Sequence, residues 1–425
     1  MSRSKKVLIL TYYWPPSGGS GVQRWMYFAK YLKQLGWEPI VITVDEQQAA
    51  YARFDHSLTQ EVEGIRVIKT RTREPLKLYA KLMSGSSQGG IPQGEVNTQG
   101  FLGKCAAYIR GNFFIPDARK GWVPFARKAA QDCLEKEDIA HVITTGPPHS
   151  THLVGLYLRK HYSINWWVDF RDPWSEVFYN KQMRRTKRSQ LKDLALEKQV
   201  LTAADGVFTT IGGAFHQSLK AKAPQQRFIA LANGYDAELM EQVSAAPPQD
   251  VFHIVYTGLL TQQQAYPSLV KALQGVSIER PIRLSLAGNI TPSIIQSIQK
   301  ALPKVEVNYQ GYLTHSNAVA LMKSAHLLVN FIFEGATSQM ISGKLLEYFA
   351  TQVPVLSLGD PESDAAAFMA KGTNAKMFAK GNIPGIQGYI KALYEQDPPL
   401  KNKMNEMNQW SRKAITERLI EHLLS

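Results

Sequence analysis

The sequence predicts two doubly wound α/β domains, each a parallel sheet covered by helices. Three observations carry this. Short β-branched apolar runs alternate with amphipathic helical stretches along the chain, the order that builds parallel sheets. The alternation is interrupted by Ala245-Ala-Pro-Pro-Gln-Asp250 and restarts at Phe252. A length of 425 residues is enough for two to three domains at roughly 100–200 residues each.

The first elements are explicit. Val7-Leu-Ile-Leu10 is a strand candidate, broken by Pro15-Pro-Ser-Gly-Gly-Ser-Gly21. Val22, Met26, Ala29, Leu32 and Leu35 then recur at spacings of three and four, the period of a helix with one buried face. Gly36 ends that helix and 39–44 is the next strand, which completes a βαβ unit. Further strands are expected at 65–68, 140–144, 166–170, 207–210 and 227–232, and helices at 122–136, 151–161, 183–203 and 214–221. Ser84 to Gly100, rich in Ser, Gly and Gln, reads as a loop. Beyond the Pro-rich break, strands are expected at 253–256, 282–287, 305–309, 326–332 and 353–358. Helices are expected there at 267–273, 294–301, 317–324, 342–351, 385–395 and 401–424. The domains are therefore expected over 1–245 and 251–403, with 404–425 a closing helix. Ligands of doubly wound sheets bind at the carboxyl ends of the strands, and a cleft between two such domains is the expected site.

Composition narrows the function classes. Apolar residues make up 44% and charged residues 20%, which is globular and not disordered. No run approaches the ~18 apolar residues of a membrane span. The basic start Met1 to Lys6 is followed by four apolar residues only, too few for a signal peptide. Cys105 and Cys133 make no disulfide scaffold and no zinc spacing, so no metal is expected and a reducing cytoplasm is the expected compartment. The net charge of +14 favours an anionic partner: nucleic acid, anionic lipid or a phosphorylated substrate.

Four motifs carry chemistry. Gly18 and Gly19 lie in the loop after the first strand, where backbone N–H groups at a helix start suit a phosphate, and Arg24 is one turn further on. The pattern is neither a dinucleotide fingerprint nor a P-loop, and a tight turn with a surface Arg fits it as well. Thr144-Thr-Gly-Pro-Pro-His-Ser-Thr-His152 ends a strand; His149 at its tip is a candidate for polar contact with substrate, and helix capping is the alternative. Val168-Asp-Phe-Arg-Asp-Pro-Trp174 places Asp172 at a strand end, where a carboxylate and an aromatic ring suit sugar hydroxyls; Asp169 and Arg171 also fit a structural ion pair. Ser342-Gly-Lys-Leu-Leu-Glu-Tyr-Phe-Ala350 puts Lys344 near a diphosphate and Glu347, one turn later, near a ribose diol, with a surface Lys–Glu pair as the alternative. Separately, Lys181, Arg184, Arg185, Lys187, Arg188 and Lys192 form a basic run that, with Phe178, Tyr179 and Met183, fits a peripheral contact with an anionic membrane. No nucleic-acid motif accompanies it, so no nucleic acid is expected.

Taken in order, the Gly18-Gly19 loop with Arg24, Pro147-Pro-His-Ser, Asp169 to Trp174, Asn233-Gly-Tyr-Asp236, Tyr256-Thr-Gly-Leu259 and Lys344 to Ala350 followed by Pro354-Val-Leu resemble GT-B glycosyltransferases of the family 4 type, in particular bacterial enzymes of surface-polysaccharide synthesis. The resemblance runs over most of the chain. It implies two Rossmann-like domains facing a central cleft, with a last helix packing back on the first domain. It implies a retaining, metal-free transfer, hexosyl in type, from a nucleoside diphosphate sugar to a glycan or lipid-linked acceptor. The donor would be held by the second domain through Gly258, Lys344 and Glu347 and approached by Gly18, Gly19 and Arg24. Asp172 and His149 would line the acceptor side, and Arg171 stands where many members carry a His. Gln339 replaces an acid common in the family, and the loop after Gly258 carries no cation before Lys271. A sugar-nucleotide epimerase of the same fold and a silent polyanion- or membrane-binding homologue remain alternatives.

Overall fold

The computed structural model describes residues 4–49, 51, 54–74, 100–177, 180, 183–210, 212–276, 279–332, 343–396 and 400–425. Ser84 and the rest of its expected loop up to residue 99 lie outside this set, as do Phe178, Tyr179, Lys181, Gln339 and Ser342.

The apolar runs form strands, the central ones buried on both faces as parallel sheets require and the edge ones partly exposed. In the first unit these are β1 (Lys6–Leu10), β2 (Glu38–Val44), β3 (Arg66–Thr70), β4 (His141–Gly146), β5 (Asn165–Phe170), β6 (Gly206–Thr209) and β7 (Phe228–Ala230). They pair in the order β3-β2-β1-β4-β5-β6-β7, every neighbour parallel. Helices α1 (Ser20–Gln34), α2 (Gly100–Phe113), α3 (Val123–Lys136), α4 (His152–His161), α5 (Lys187–Ala203) and α6 (Ala214–Lys222) belong to this unit. Its core joins strand residues such as Leu8, Ile40, Val142 and Val168 to Ala126, Val154, Val200 and Leu219 of the helices.

The second unit repeats the plan. Its strands are β8 (Phe252–Thr257), β9 (Ile282–Ala287), β10 (Val305–Tyr309), β11 (Leu327–Phe331), β12 (Val355–Leu358) and β13 (Ala375–Phe378). The order is β10-β9-β8-β11-β12-β13, again parallel throughout. Its helices are α7 (Ala237–Gln242), α8 (Tyr266–Gly275), α9 (Pro292–Ala301), α10 (His315–Lys323), α11 (Lys344–Ala350), α12 (Asp364–Met369) and α13 (Ile383–Tyr394). In each sheet the order reverses beside the first strand, at β1/β4 and β8/β11, the switch point that opens a ligand crevice in such folds.

The compact units are Met1–Asn233 with Ile415–Ser425, and Gly234–Ala414. The Pro-rich stretch 245–250 therefore lies within the second unit. The reason is that α7 is tied down there: Lys323 Nζ donates to the carbonyls of Met240 and Val243, and Arg412 N donates to Tyr235 O at 2.9 Å. The expected helix over 401–424 is shortened to α14 (Arg412–Leu424). Before it the chain pairs with a loop, through Asn402 N to Gln352 O and Thr373 N to Lys403 O, and Glu406 takes a left-handed φ of 56°. Within the first unit, Asn165 Nδ2 donates to Leu423 O at 3.1 Å.

Other departures have local causes. α5 starts at Lys187 and not at Met183, because Arg184 has a φ of 47° and Thr186 accepts from Ser189 N as the helix cap. α2 was not expected. Its three glycines each cost about 1 kcal/mol against Ala, and Gly111 is needed because a Cβ there would stand 2.7 Å from Met183 Cβ.

Candidate functional site

In the second unit a cluster forms at the carboxyl end of β8. Lys344 opens α11 and is half-buried. Its Nζ lies 3.1 Å from the Tyr256 hydroxyl and 4.2 Å from the centre of that ring. Among the described residues no carboxylate pairs with it. Burial lowers its pKa below the ordinary lysine value, against a smaller raising effect of Tyr348. Tyr348 in turn bonds Thr257, its hydroxyl accepting from Thr257 N at 3.0 Å. Gly258 has a φ of 127°, and a Cβ there would sit 2.8 Å from Lys344 Nζ. Gly288, with φ 116° at the end of β9, faces the Gly258 carbonyl, 2.3 Å from where its own Cβ would be. A side-chain-free backbone at Gly258 therefore lies against the lysine, with that of Gly288 packed behind it, the arrangement that lets a ligand approach main chain closely.

One turn along α11, Glu347 accepts through Oε1 from His315 Nε2 at 2.8 Å and from Arg412 at 3.3 Å. Burial pushes its carboxyl up, but the His315 bond and the charges of His315 and Arg412 outweigh this and hold it below the ordinary value. Its Oε2 has no partner among the described residues. Arg412 also faces Asp236 at 3.7 Å, and Gly234 at φ 73° passes close to it, since a Cβ would meet Arg412 Cγ at 2.9 Å.

The first unit has its own cluster where β1, β4 and β5 end. Asp169 has no exposure, so its charge must be met by donors. It receives Arg24 NH2 at 2.7 Å and Nε at 3.1 Å, Trp25 Nε1 at 2.6 Å and Thr145 Oγ1 at 2.8 Å. Arg24 NH1 reaches the carbonyls of Leu231 and Ala232 and the Asn233 side chain at 2.8, 3.1 and 3.1 Å. Arg171 bonds three main-chain carbonyls: Gly146 through Nε at 3.2 Å, Gly21 through NH1 and Pro147 through NH2. Beside it, His149 stacks on Trp174 at 5.2 Å and 8°, and His152 on Phe170 at 4.9 Å and 14°. Burial, then the charges of His152 and Arg171, keep His149 neutral far below its ordinary pKa. Burial with Arg171 takes His152 down to about 3. Asp172 is half-buried and has no hydrogen-bond partner among the described residues; burial raises its pKa, against Arg171. No group of three His, Cys, Asp or Glu among the described residues is gathered to hold a metal ion.

Residues 251–396 match the family model of glycosyl transferases group 1. Sucrose-phosphate synthase of Thermosynechococcus elongatus is similar in structure, with 15% identity and a TM-score of 0.64 over 98% of both chains. HepE of Anabaena in complex with UDP and glucose is similar at 12% identity and a TM-score of 0.60 over 99% of each. The lipopolysaccharide outer core galactosyltransferase WaaB is similar at 12% and 0.56, also over 99% of each. The chain has the GT-B fold, and residues 251–396 form its group 1 glycosyl transferase region. No curated protein sequence matches it.

Of the expected site residues, Gly258 meets Lys344, and Glu347 lies one turn along the same helix with His315 and Arg412. Asp172 stands unpaired at the end of β5, and Gly18 and Gly19 lie in the loop before α1, Gly19 exposed with a φ of 103° and open space around it. Three expectations are corrected. Arg24 does not face a ligand: it is 3% exposed and is the partner of Asp169, the place the sequence reading offered to Arg171. Arg171 spends its guanidinium on the main-chain carbonyls of Gly146, Gly21 and Pro147. His149 is not at an open loop tip but 6% exposed inside an aromatic stack. Tyr256, His315 and Arg412 were not found as site residues, and no local sequence signal connects Arg412 to Glu347, 65 positions away.

Proposed function

We propose that this chain moves a sugar from a nucleoside diphosphate sugar to a carbohydrate or lipid-linked acceptor in glycan synthesis in the cytoplasm, with retention and without a metal. The observation that carries the reading is Lys344, a half-buried ammonium with a phenol and, among the described residues, no carboxylate for company, against Gly258 at the end of β8. Such a cation is completed by an anion, and a diphosphate supplies it. The charge that develops on the departing diphosphate is what a preorganised ammonium stabilises. Glu347, ionised and with one oxygen unpaired, suits the two hydroxyls of a ribose. HepE, solved with UDP and with UDP-glucose, supports the donor class. On the acceptor side Asp172 is the candidate to accept a hydrogen bond from the incoming hydroxyl, and its raised pKa suits it to take up that proton.

Calorimetry with UDP tests this. Lys344→Ala is expected to weaken binding at least about tenfold, roughly 1.4 kcal/mol, and Glu347→Gln to weaken it less. Unchanged affinity in Lys344→Ala removes the reading. Turnover of UDP-glucose with no acceptor present would replace transfer by epimerisation, and an α-configured product from an α-configured donor, seen by NMR, checks retention.

A further inference from the structure

We infer that helices α2 and α5 of the first unit form a docking face for an anionic lipid bilayer. Tyr108, Ile109 and Phe113 of α2 are 43, 45 and 64% exposed, and Leu191 and Leu194 of α5 are 66 and 42% exposed. Large apolar side chains rarely gather at the surface without a partner. These five belong to helices that are joined: Asn112 Oδ1 accepts from Thr186 N at 2.8 Å, and Arg185 Nε donates to Gly111 O at 3.0 Å.

The charge on the same face is one-sided. α2 contains no acidic residue. α5 contains two, Asp193 and Glu197, and turns both inward, at 1% and 0% exposure. Asp193 is taken by Arg185 at 2.7 Å and by Trp174 Nε1 at 2.7 Å, and Glu197 by Lys222 at 3.0 Å. The face is left with exposed Lys104, Arg184, Lys187, Arg188, Lys192 and Lys198, none paired with a carboxylate among the described residues. Lys187, Leu191, Leu194 and Lys198 fall at spacings of four, three and four, one stripe of the helix with cations at its ends. Cations around an apolar centre match an anionic headgroup layer over acyl chains. Tyr108 and Phe113 could stack on bases, but Ile109, Leu191 and Leu194 give a nucleic acid no such surface and match acyl chains instead. Arg185 leaves the basic run, being buried with Asp193, and Met183 is buried and does not insert.

The face belongs to the first unit and shares no residue with the donor cluster of the second; a lipid-linked acceptor is part of the reading above, but the docking face does not depend on it. Flotation of the full chain with phosphatidylcholine vesicles, with and without phosphatidylglycerol, tests it. Binding is expected only with phosphatidylglycerol and falls as salt rises. Leu191→Glu and Phe113→Glu are expected to lower partitioning about tenfold. Lys187→Gln and Lys192→Gln should each lower it about fivefold, since a cation near such a leaflet contributes about 1 kcal/mol. UDP affinity should be unchanged in all four. Equal binding to neutral vesicles, unchanged partitioning of the variants, or tighter binding of double-stranded DNA than of phosphatidylglycerol vesicles would overturn the inference. Loss of UDP binding in the unaltered chain would instead count against the transfer reading and leave the docking face standing.

Discussion

At Asp169 a full charge sits where water does not reach, and four donors from two segments, α1 and β4, meet it. Asp169→Asn keeps the shape and leaves Arg24 buried without its counter-charge. Removing one partner of such a pair costs about 3–5 kcal/mol, so a fall in Tm of roughly 10 °C is expected by calorimetry; an unshifted transition would show that Arg24 finds enough elsewhere. Lys344 gives a second prediction. Its pKa is lowered by burial and a diphosphate would raise it again, so UDP binding at alkaline pH should take up protons. Calorimetry in buffers of different ionisation enthalpy reads this, and proton release would contradict it. The sequence displayed all these side chains but not their pairing. Arg171 is two residues from Asp169 but lies past the end of β5, where its guanidinium is taken by main-chain carbonyls, and the partner that Asp169 does take comes from 145 positions away.

Among the elements, two glycines let tryptophans lie flat against main chain. A Cβ at Gly155 of α4 would stand 2.2 Å from the Trp166 ring of β5, and one at Gly206 of β6 would stand 2.2 Å from Trp167. Gly to Ala inside a helix ordinarily adds about 1 kcal/mol. Overpacking costs about 1–3 kcal/mol, and a closely held ring does not move aside, so Gly155→Ala is expected to destabilise. Urea unfolding decides the sign. Strands and most helices were legible because their apolar periods are strong. What escaped reading was α2, whose glycines serve packing, and the stretch 401–411, where a positive φ at Glu406 and hydrogen bonds to a distant loop stop a helix that local composition favours.

For the molecule as a whole, both sheets share one strand order, and that repetition was readable from the restart at Phe252. The net charge and the basic run at 181–192 were readable too; that Asp193 and Glu197 of α5 turn inward was not, because it depends on partners distant in sequence. Stability should depend on pH through buried histidines. His149, His152 and His326 are held neutral by burial, His152 to about 3 and His326 to about 4, against an ordinary 6.5. The unfolded chain then binds more protons than the fold between these values, so stability is full above pH 6.5 and falls as pH drops toward 3. One pKa unit corresponds to about 1.4 kcal/mol, so His152→Gln is expected to flatten that fall in unfolding experiments, and an unchanged slope would assign it to other groups.

Arg171 fastens its neighbours by their carbonyl oxygens, an atom that every residue type carries. A clamp of that kind is blind to the identity of what it holds. Side chains in the segments around Gly21 and Pro147 can therefore change while the main chain that Arg171 holds stays fastened.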